Sequence, residues 1–291
     1  MNAEATVTTG RSQTREFIRK FTRNRLGIVG FVIVALLVLM AVFAPVLAPK
    51  DPASQSLLER RTPPNAEYLL GADEFGRDIL SRIIYGSRTT LTVSLASIGL
   101  GVLLGVGLGA LAGYLGGWFD TVIMRLMDIL LAFPYLLLAI IIVSALGPGI
   151  QNSIIAIAIW ATPSFARVAR SAVIGLRERE FIDAARSQGA RDLRIMTQHI
   201  LPNFVSTLMV YASLNLANAV LMEAALSFLG LGVQPPTASW AAMISSGRDY
   251  IVQAPHIATI PGIFIALSVL GFNLLGDGLR DALDPRSSKT G

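Results

Sequence analysis

The chain has 291 residues, of which 53% are hydrophobic and 15% charged, and its formal net charge is +5. A soluble domain carries about 25% charged residues, so this composition excludes an ordinary soluble domain and favours a protein that crosses a membrane several times. The absence of cysteine excludes disulfides, thiol catalysis and zinc–thiolate sites.

The N-terminal segment, residues 1–25, is basic, and we predict that it lies in the cytoplasm. Its six basic residues precede an apolar run and act most simply as a positive-inside anchor. Interleaved Phe17 and Phe21 also suit the alternative of an amphipathic helix on an anionic membrane surface. The charge-free run 26–49 is long enough to span and too long for a signal-peptide core, which predicts an uncleaved first transmembrane helix.

Residues 50–88 are polar and predict an extracytoplasmic segment. Within it, residues 71–78 superficially resemble a phosphate-binding loop, but the Lys-Ser/Thr pair that would hold phosphate and magnesium is missing. We therefore predict no nucleotide site there. Residues 78–85 have helical periodicity and predict a short helix along the outer interface, separate from the span that follows.

The second predicted span, 89–115, is charge-free and rich in glycine. Four glycines recur at every fourth residue on one helix face: Gly101, Gly105, Gly109 and Gly113. Such a face lets a neighbouring helix pack at close range. Packing within the chain is the simpler interpretation, and a moving contact in a transporter is the alternative.

Residues 129–166 form a charge-free run of 38 residues, which is too long for one helix. The Gly-Pro-Gly sequence at 147–149 divides it, and we predict spans 119–146 and 150–171. Pro134 and Pro163 are expected to kink these two helices.

Polar residues occur in the later spans. Arg125 and Asp128 are three residues apart and predict an ion pair within one helix. The span 204–230 holds three polar residues, Asn215, Asn218 and Glu223. Because an acid inside a membrane helix is costly, these side chains suggest a gate or pathway role, with a structural hydrogen bond as the alternative for Glu223.

The last predicted span covers 257–278, and residues 286–291 form a short tail. The fold class is therefore an all-α polytopic membrane protein with six transmembrane helices and both termini on one side. The distribution of basic residues places that side in the cytoplasm, although the first outer segment is also basic.

A polar island at 180–203 interrupts the apolar runs. Good helix formers at 183–188 predict a helix, which Gly189 interrupts because glycine tolerates backbone angles that other residues avoid. A second short helix is expected over 190–201, ended or kinked by Pro202. The small residues leave a low surface that another protein can approach closely.

The island resembles the EAA loop of bacterial ABC-type import permeases, in which Glu-Ala-Ala is followed by a glycine and closes on Leu-Pro. The matching residues are Asp183, Ala184, Ala185, Gly189, Leu201 and Pro202. Asp183 replaces the usual glutamate, and His199 stands where isoleucine is usual. The resemblance implies that these residues, with Arg191, couple the chain to an ATPase.

Further stretches resemble the C-type permease of the dipeptide/oligopeptide/nickel branch; they are residues 23–25, 70–82, 224–230, 234–236 and 276–285. The resemblance implies a permease core over 89–285 in the bacterial inner membrane, with no catalytic residue, metal or cofactor. It also implies a second homologous permease, two ATP-binding subunits or domains, an extracytoplasmic binding protein and a peptide substrate.

Several alternatives remain at this stage. The substrate of such a transporter can also be a nickel chelate or a glutathione-like solute. An ion-driven secondary transporter needs a relay of intramembrane acids and an internal repeat, whereas only Glu223 lies deep in a span. An intramembrane enzyme needs a catalytic set, but His199 and His256 are far apart in sequence. A structural scaffold needs no conspicuous docking loop.

Overall fold

The computed structural model describes residues 10–283. Within that range the regular structure is helical, apart from one isolated bridge between Ala72 and Asp78. The α-helices are α1 (Gly10–Arg23), α2 (Arg25–Val42), α3 (Ala44–Leu47), α4 (Ile79–Leu115), α5 (Gly117–Ala132), α6 (Tyr135–Leu146), α7 (Ile150–Arg177), α8 (Glu180–Ser187), α9 (Asp192–Arg194), α10 (Leu201–Phe228), α11 (Trp240–Gly247) and α12 (His256–Leu283). The predicted tail, 286–291, lies outside the described residues, as do residues 1–9 of the segment 1–25.

The predicted all-α membrane fold is confirmed. Judged by helix length and hydropathy, however, the described residues contain fewer than the six predicted spans. Among residues 10–283, four helices are long and apolar enough to cross a membrane: α2, α4, α12 and the continuous helix Asp192–Phe228. The α5–α6 pair is a fifth candidate. The predicted span 150–171 falls in α7, which is not among them and carries Arg167, Arg170 and Arg177. A total of six spans is compatible with these helices but is not established by their length and composition.

The predicted single span 119–146 is two helices that meet at 95°. Phe133 is extended and Pro134 caps α6, which begins at Tyr135. The residue before a proline is driven out of helical geometry, so the break falls where the sequence suggested only a kink. Pro163 does not break its helix: α7 continues through it from Ile150 to Arg177.

The separate outer helix expected at 78–85 does not form. Those residues are the first turns of α4, a single helix of 37 residues whose start is capped by Asp78, which accepts a hydrogen bond from the Ser81 amide at 2.8 Å. Ile79 and Ile83 are fully buried beneath Trp240, whose indole donates to the Ile83 carbonyl at 2.9 Å. The segment packs inside the protein, and its helix continues through Gly86 into the predicted span without a break.

The polar segment before α4 is held by charges buried within it. Arg77 forms ion pairs with Asp73 at 2.6 Å and with Glu74 at 3.3 Å. Arg82 lies 3.4 Å from the same Asp73 carboxylate and donates to the Pro52 carbonyl at 3.0 Å. The loop that superficially resembled a phosphate-binding loop is therefore closed by its own side chains.

Close glycine contacts also join α2 to α12, and the sequence analysis did not identify them. A methyl group on Gly27 would lie 2.9 Å from Gly278, and one on Gly30 would lie 2.4 Å from the Leu275 nitrogen. Next to this contact, Asn24 caps α2 and donates to Asp281 at 2.7 Å. The first transmembrane helix is thus packed directly against the last.

Candidate functional site

The polar island folds into an exposed turn resting on the apolar core. In α8, Ile182 and Ala185 are buried, whereas Asp183 and Ala184 face outward. Gly189 follows with φ of +82°, and no atom lies within 4 Å of the position that its Cβ would occupy. Within this chain, backbone conformation and not crowding therefore favours glycine at 189.

The helix expected over 190–201 does not end at Pro202. It begins at Asp192 and continues to Phe228, with a π-helical segment at Ile195–Ile200 directly before the proline. Proline lacks an amide hydrogen and its ring collides with the carbonyl four residues earlier in an α-helix, and the wider π turn accommodates both effects. Pro202 is exposed, and Leu201 is half-buried.

The remaining predicted residues of the loop differ in exposure. Arg191 is exposed, directly before α9, and His199 is half-buried in the π segment. The His199 carbonyl accepts a hydrogen bond from the Asn203 side chain at 2.5 Å. The structure therefore brings Asp183, Ala184 and Gly189 to one exposed turn, while His199 lies at its base.

Two hydrogen bonds of Tyr114 that sequence reasoning missed tie the end of α4 to the loop and to the end of α7. The Tyr114 hydroxyl donates to Asp192 Oδ1 at 2.5 Å, and Arg177 donates to the Tyr114 carbonyl at 2.9 Å. The Tyr114 hydroxyl and the carboxylates of Asp183 and Asp192 raise the pKa of Arg186 above its ordinary value, so this exposed side chain stays charged. No sequence pattern pairs residues 114 and 192, which lie 78 positions apart.

The four glycines of α4 lie against α7. Methyl groups placed on them would come within 2.1 to 2.9 Å of α7 atoms; the nearest atoms are Ala161 Cβ for Gly101, Phe165 Cβ for Gly105, the Ala166 oxygen for Gly109 and the Arg170 oxygen for Gly113. Both series of residue numbers rise together, so α4 and α7 run parallel. Their C-terminal ends therefore meet beside the polar island.

Ion pairs link α5 to α7 instead of forming within α5. The predicted pair of Arg125 with Asp128 is wrong, because Asp128 is bound by Arg167 at 2.7 Å. Arg170 makes a bidentate contact with Asp120, with one bond at 2.6 Å. The cause is tertiary, since α7 presents its guanidinium groups directly to the carboxylates of α5.

The three polar residues of α10 lie in different surroundings. Glu223 is fully buried and its Oε1 accepts from Ser227 at 2.9 Å and from Ser239 at 3.1 Å. Asn215 is buried and donates to the Tyr211 carbonyl at 2.8 Å, whereas Asn218 is exposed. The three do not form one cluster.

Comparison with known proteins assigns a family to most of the chain. Residues 105–289 match the model described as binding-protein-dependent transport system inner membrane component. Residues 12–64 match the N-terminal transmembrane domain of oligopeptide transport permease C. The first of these alone covers more than half of the sequence.

Curated relatives match along nearly the whole length. The chain is 48% identical to the dipeptide transport system permease protein DppC of Alkalihalophilus pseudofirmus, over 94% of this chain and 90% of the relative. It is 47% identical to the di/tripeptide transport system permease protein DppC of Pseudomonas aeruginosa, over 94% and 93%. It is 44% identical to the glutathione transport system permease protein GsiD of Pectobacterium atrosepticum, over 95% and 92%.

A solved structure supports the fold independently. The chain is similar to an inward facing conformation of the MetNI methionine ABC transporter, with a TM-score of 0.55 and 20% sequence identity. The match covers 70% of this chain and 97% of that chain. At this identity the likeness concerns the fold alone.

Proposed function

Because the chain belongs to the binding-protein-dependent inner membrane components, the permeases of ABC importers, we propose that it forms a translocation pathway for di- or oligopeptides together with a second homologous permease. An extracytoplasmic binding protein delivers the peptide, and two ATP-binding subunits or domains supply the energy. The chain itself is a multi-pass membrane subunit, and in this proposal it catalyses no reaction.

The peptide substrate is supported by the names of the relatives. Two of them are permeases for dipeptides or tripeptides, and the third is a permease for glutathione, which is itself a modified tripeptide. A glutathione-like solute is thus the second candidate within the same chemical class. The relatives reported above give no support to a nickel chelate.

The observation that carries the coupling role is the exposed turn and its attachment. The turn presents Asp183, Ala184 and Gly189 to an ATPase. The bond from Tyr114 to Asp192 connects the polar island to α4, and Arg177 ties the end of α7 to the same tyrosine. Since the glycine contacts join α4 to α7, movement of the turn is transmitted to both helices. Two distant sites are then coupled through one rigid pair of helices.

The proposal includes the orientation of the chain. The polar island and both termini lie in the cytoplasm, and the segments before α4 and around α11 lie outside. The residues proposed to couple to the ATPase are Asp183, Ala184, Ala185, Gly189, Arg191, His199, Leu201 and Pro202. Asn218, which is exposed, is the best remaining pathway candidate in α10, whereas the hydrogen bonds of Glu223 favour its structural role.

The decisive experiment isolates the chain from its native host in a detergent that preserves membrane complexes. We expect it to retain a second permease and an ATPase pair, and cells lacking it to lose binding-protein-dependent uptake of labelled alanyl-alanine. Restoration of that uptake by the wild-type gene completes the test. A chain that purifies alone and supports uptake without an ATPase would instead be a secondary transporter.

A further inference from the structure

A cavity of about 500 Å³ lies between α5 and α7, and charged side chains dominate its walls. Three arginines and two aspartates line it; they are Asp120, Arg125, Asp128, Arg167 and Arg170. The two aspartates are held by Arg170 and Arg167 across the cavity. One positive charge is therefore in excess.

That excess charge belongs to Arg125. Its side chain is exposed, and within residues 10–283 it forms no ion pair or hydrogen bond. The neighbouring pair of Arg167 and Asp128 is itself open, with side chains 55% and 46% exposed. The cavity thus offers one free guanidinium beside a separable pair of opposite charges.

The cavity lies between α5 and the C-terminal half of α7, on the side of the polar island. Arg167 is ten residues before Arg177, about 15 Å along α7 at the rise of an α-helix. Arg177 is the residue that holds the end of α4 beside the island. Charged side chains at such positions in membrane proteins face a water-filled path or a partner, because exposure to lipid is costly.

The chemistry of the cavity fits a peptide zwitterion. A guanidinium binds a carboxylate through two parallel hydrogen bonds, and an aspartate accepts hydrogen bonds from an ammonium group. A pathway must hold its cargo weakly, so the best partners are groups that can return to pairing with each other when the cargo leaves. The Asp128–Arg167 pair has that property, and Arg125 adds attraction for the carboxylate.

We propose that this cavity is a transient peptide-binding site in the cytoplasmic half of the pathway, in which Arg125 binds carboxylate groups and Asp128, released by Arg167, binds the ammonium group. The inference rests on the proposed peptide-import function. It predicts that the permease, independently of the binding protein, favours anionic over cationic peptides.

The test measures uptake of three dipeptides at saturating concentration by the complete transporter with its binding protein. The probes are alanyl-glutamate, alanyl-alanine and alanyl-lysine, with net charges near −1, 0 and +1. For each probe the rate of a variant is divided by the wild-type rate, which cancels the preference of the unchanged binding protein. Arg125→Glu should lower the ratio about fivefold or more for alanyl-glutamate, because attraction for both of its carboxylates becomes repulsion. Alanyl-lysine should be nearly unchanged, because attraction between its side-chain ammonium and the new glutamate offsets the repulsion of its carboxylate.

A matched control removes an exposed arginine elsewhere. Arg19→Gln on α1 should give equal ratios for all three probes, whereas Arg125→Gln should give a smaller charge-dependent loss than Arg125→Glu. Equal loss of the three peptides in Arg125→Glu, or loss of the second permease from the purified complex, would assign Arg125 to assembly and overturn the inference. A wild-type complex that transports none of the peptides would overturn the proposed function itself.

Discussion

Residues in and beside the polar island are needed for two different reasons, a backbone angle and a side-chain hydrogen bond. Gly189 adopts a backbone angle that favours glycine, in open space. Tyr114, in contrast, donates a hydrogen bond to Asp192. The first requirement is visible in the sequence as a lone glycine between helix formers. The second joins two distant parts of the chain, so only the folded protein reveals it.

A tryptophan at position 189 tests the exposed turn. Gly189→Trp places a large side chain at the proposed ATPase contact and in a backbone conformation that disfavours it by roughly 1 kcal/mol. We expect ATP hydrolysis to continue while peptide uptake falls about tenfold or more, measured as peptide moved per ATP hydrolysed. Gly175→Trp is the matched control, because Gly175 also has open space but lies in a regular helix. Unchanged uptake in Gly189→Trp would count against docking at this turn.

Removal of one hydroxyl tests the link to α4. Tyr114→Phe abolishes the bond to Asp192, which is worth about 1–2 kcal/mol because the acceptor is charged. Peptide uptake per ATP should fall, and adding Asp192→Asn should cause little further loss, since both changes remove the same contact. Tyr85→Phe, at a tyrosine with no side-chain hydrogen bond in the described range, serves as the control. Fully additive losses would show that the two residues act separately.

The choice of which helices pack together depends on the smallest residues and on buried polar contacts. The glycine series of α4 lets α7 approach at van der Waals distance over four successive turns. Near the C-terminal end of α10, Glu223 connects its own helix to Ser239, the residue that caps α11. The first feature sets how two long helices pack, and the second fixes the short helix α11 in place.

The glycine contact predicts a clear difference between two neighbouring substitutions. Gly109→Ala would put a methyl group 2.1 Å from the Ala166 oxygen, whereas Gly107 has no atom within 4 Å. The first change should destabilise the protein by about 1–3 kcal/mol through overpacking. Gly107→Ala should be neutral or slightly stabilising. Thermal unfolding of the purified complex measures both, and equal melting temperatures would exclude close α4–α7 packing at this point.

Two substitutions of Glu223 separate a structural role from a gating role. Glu223→Gln retains an oxygen that can accept from Ser227 and Ser239, while Glu223→Ala leaves both hydroxyls without it and should cost about 1–3 kcal/mol. We therefore expect the glutamine variant to keep most of its stability and peptide uptake, and the alanine variant to lose both. If the glutamine variant is stable but fails to transport, the gate hypothesis gains support instead.

Across the whole molecule, two apolar clusters are joined by α4. One surrounds Phe165 in the middle of α7 and reaches the polar island through Ile182 and Ile195. The other surrounds Trp240 and includes residues of α2 and α12. Because α4 contributes to both clusters, it connects the core beneath the island to the core around Trp240 at its other end.

The orientation of the molecule can be measured with a thiol reagent, because the chain has no cysteine. Leu58 is 97% exposed before α4, and Leu193 is 77% exposed in the polar island. A membrane-impermeant maleimide should label Leu58→Cys in spheroplasts whose inner membrane is intact. It should label Leu193→Cys only after that membrane is permeabilised. Labelling in the opposite order would reverse the proposed topology.

Hydrophobic patterning determined from the sequence alone that this is a helical membrane protein, and the spacing of Asp183, Ala184, Ala185 and Gly189 identified its family resemblance. Local propensity also located most helices, because chain segments that enter a membrane must satisfy their backbone hydrogen bonds internally. The α5–α6 break exceeded the expected kink, since the effect of Pro134 depends on whether neighbouring helices hold the chain straight.

Only the tertiary structure decided which helices and charges meet. The pairing of Arg167 with Asp128, the contact of Gly30 with α12 and the bond from Tyr114 to Asp192 all join residues that are far apart in the chain. Helical periodicity places such side chains on a face but does not specify which element will cover it. The partner is selected by close packing and electrostatic complementarity in the folded bundle, and these appear only once the helices are assembled.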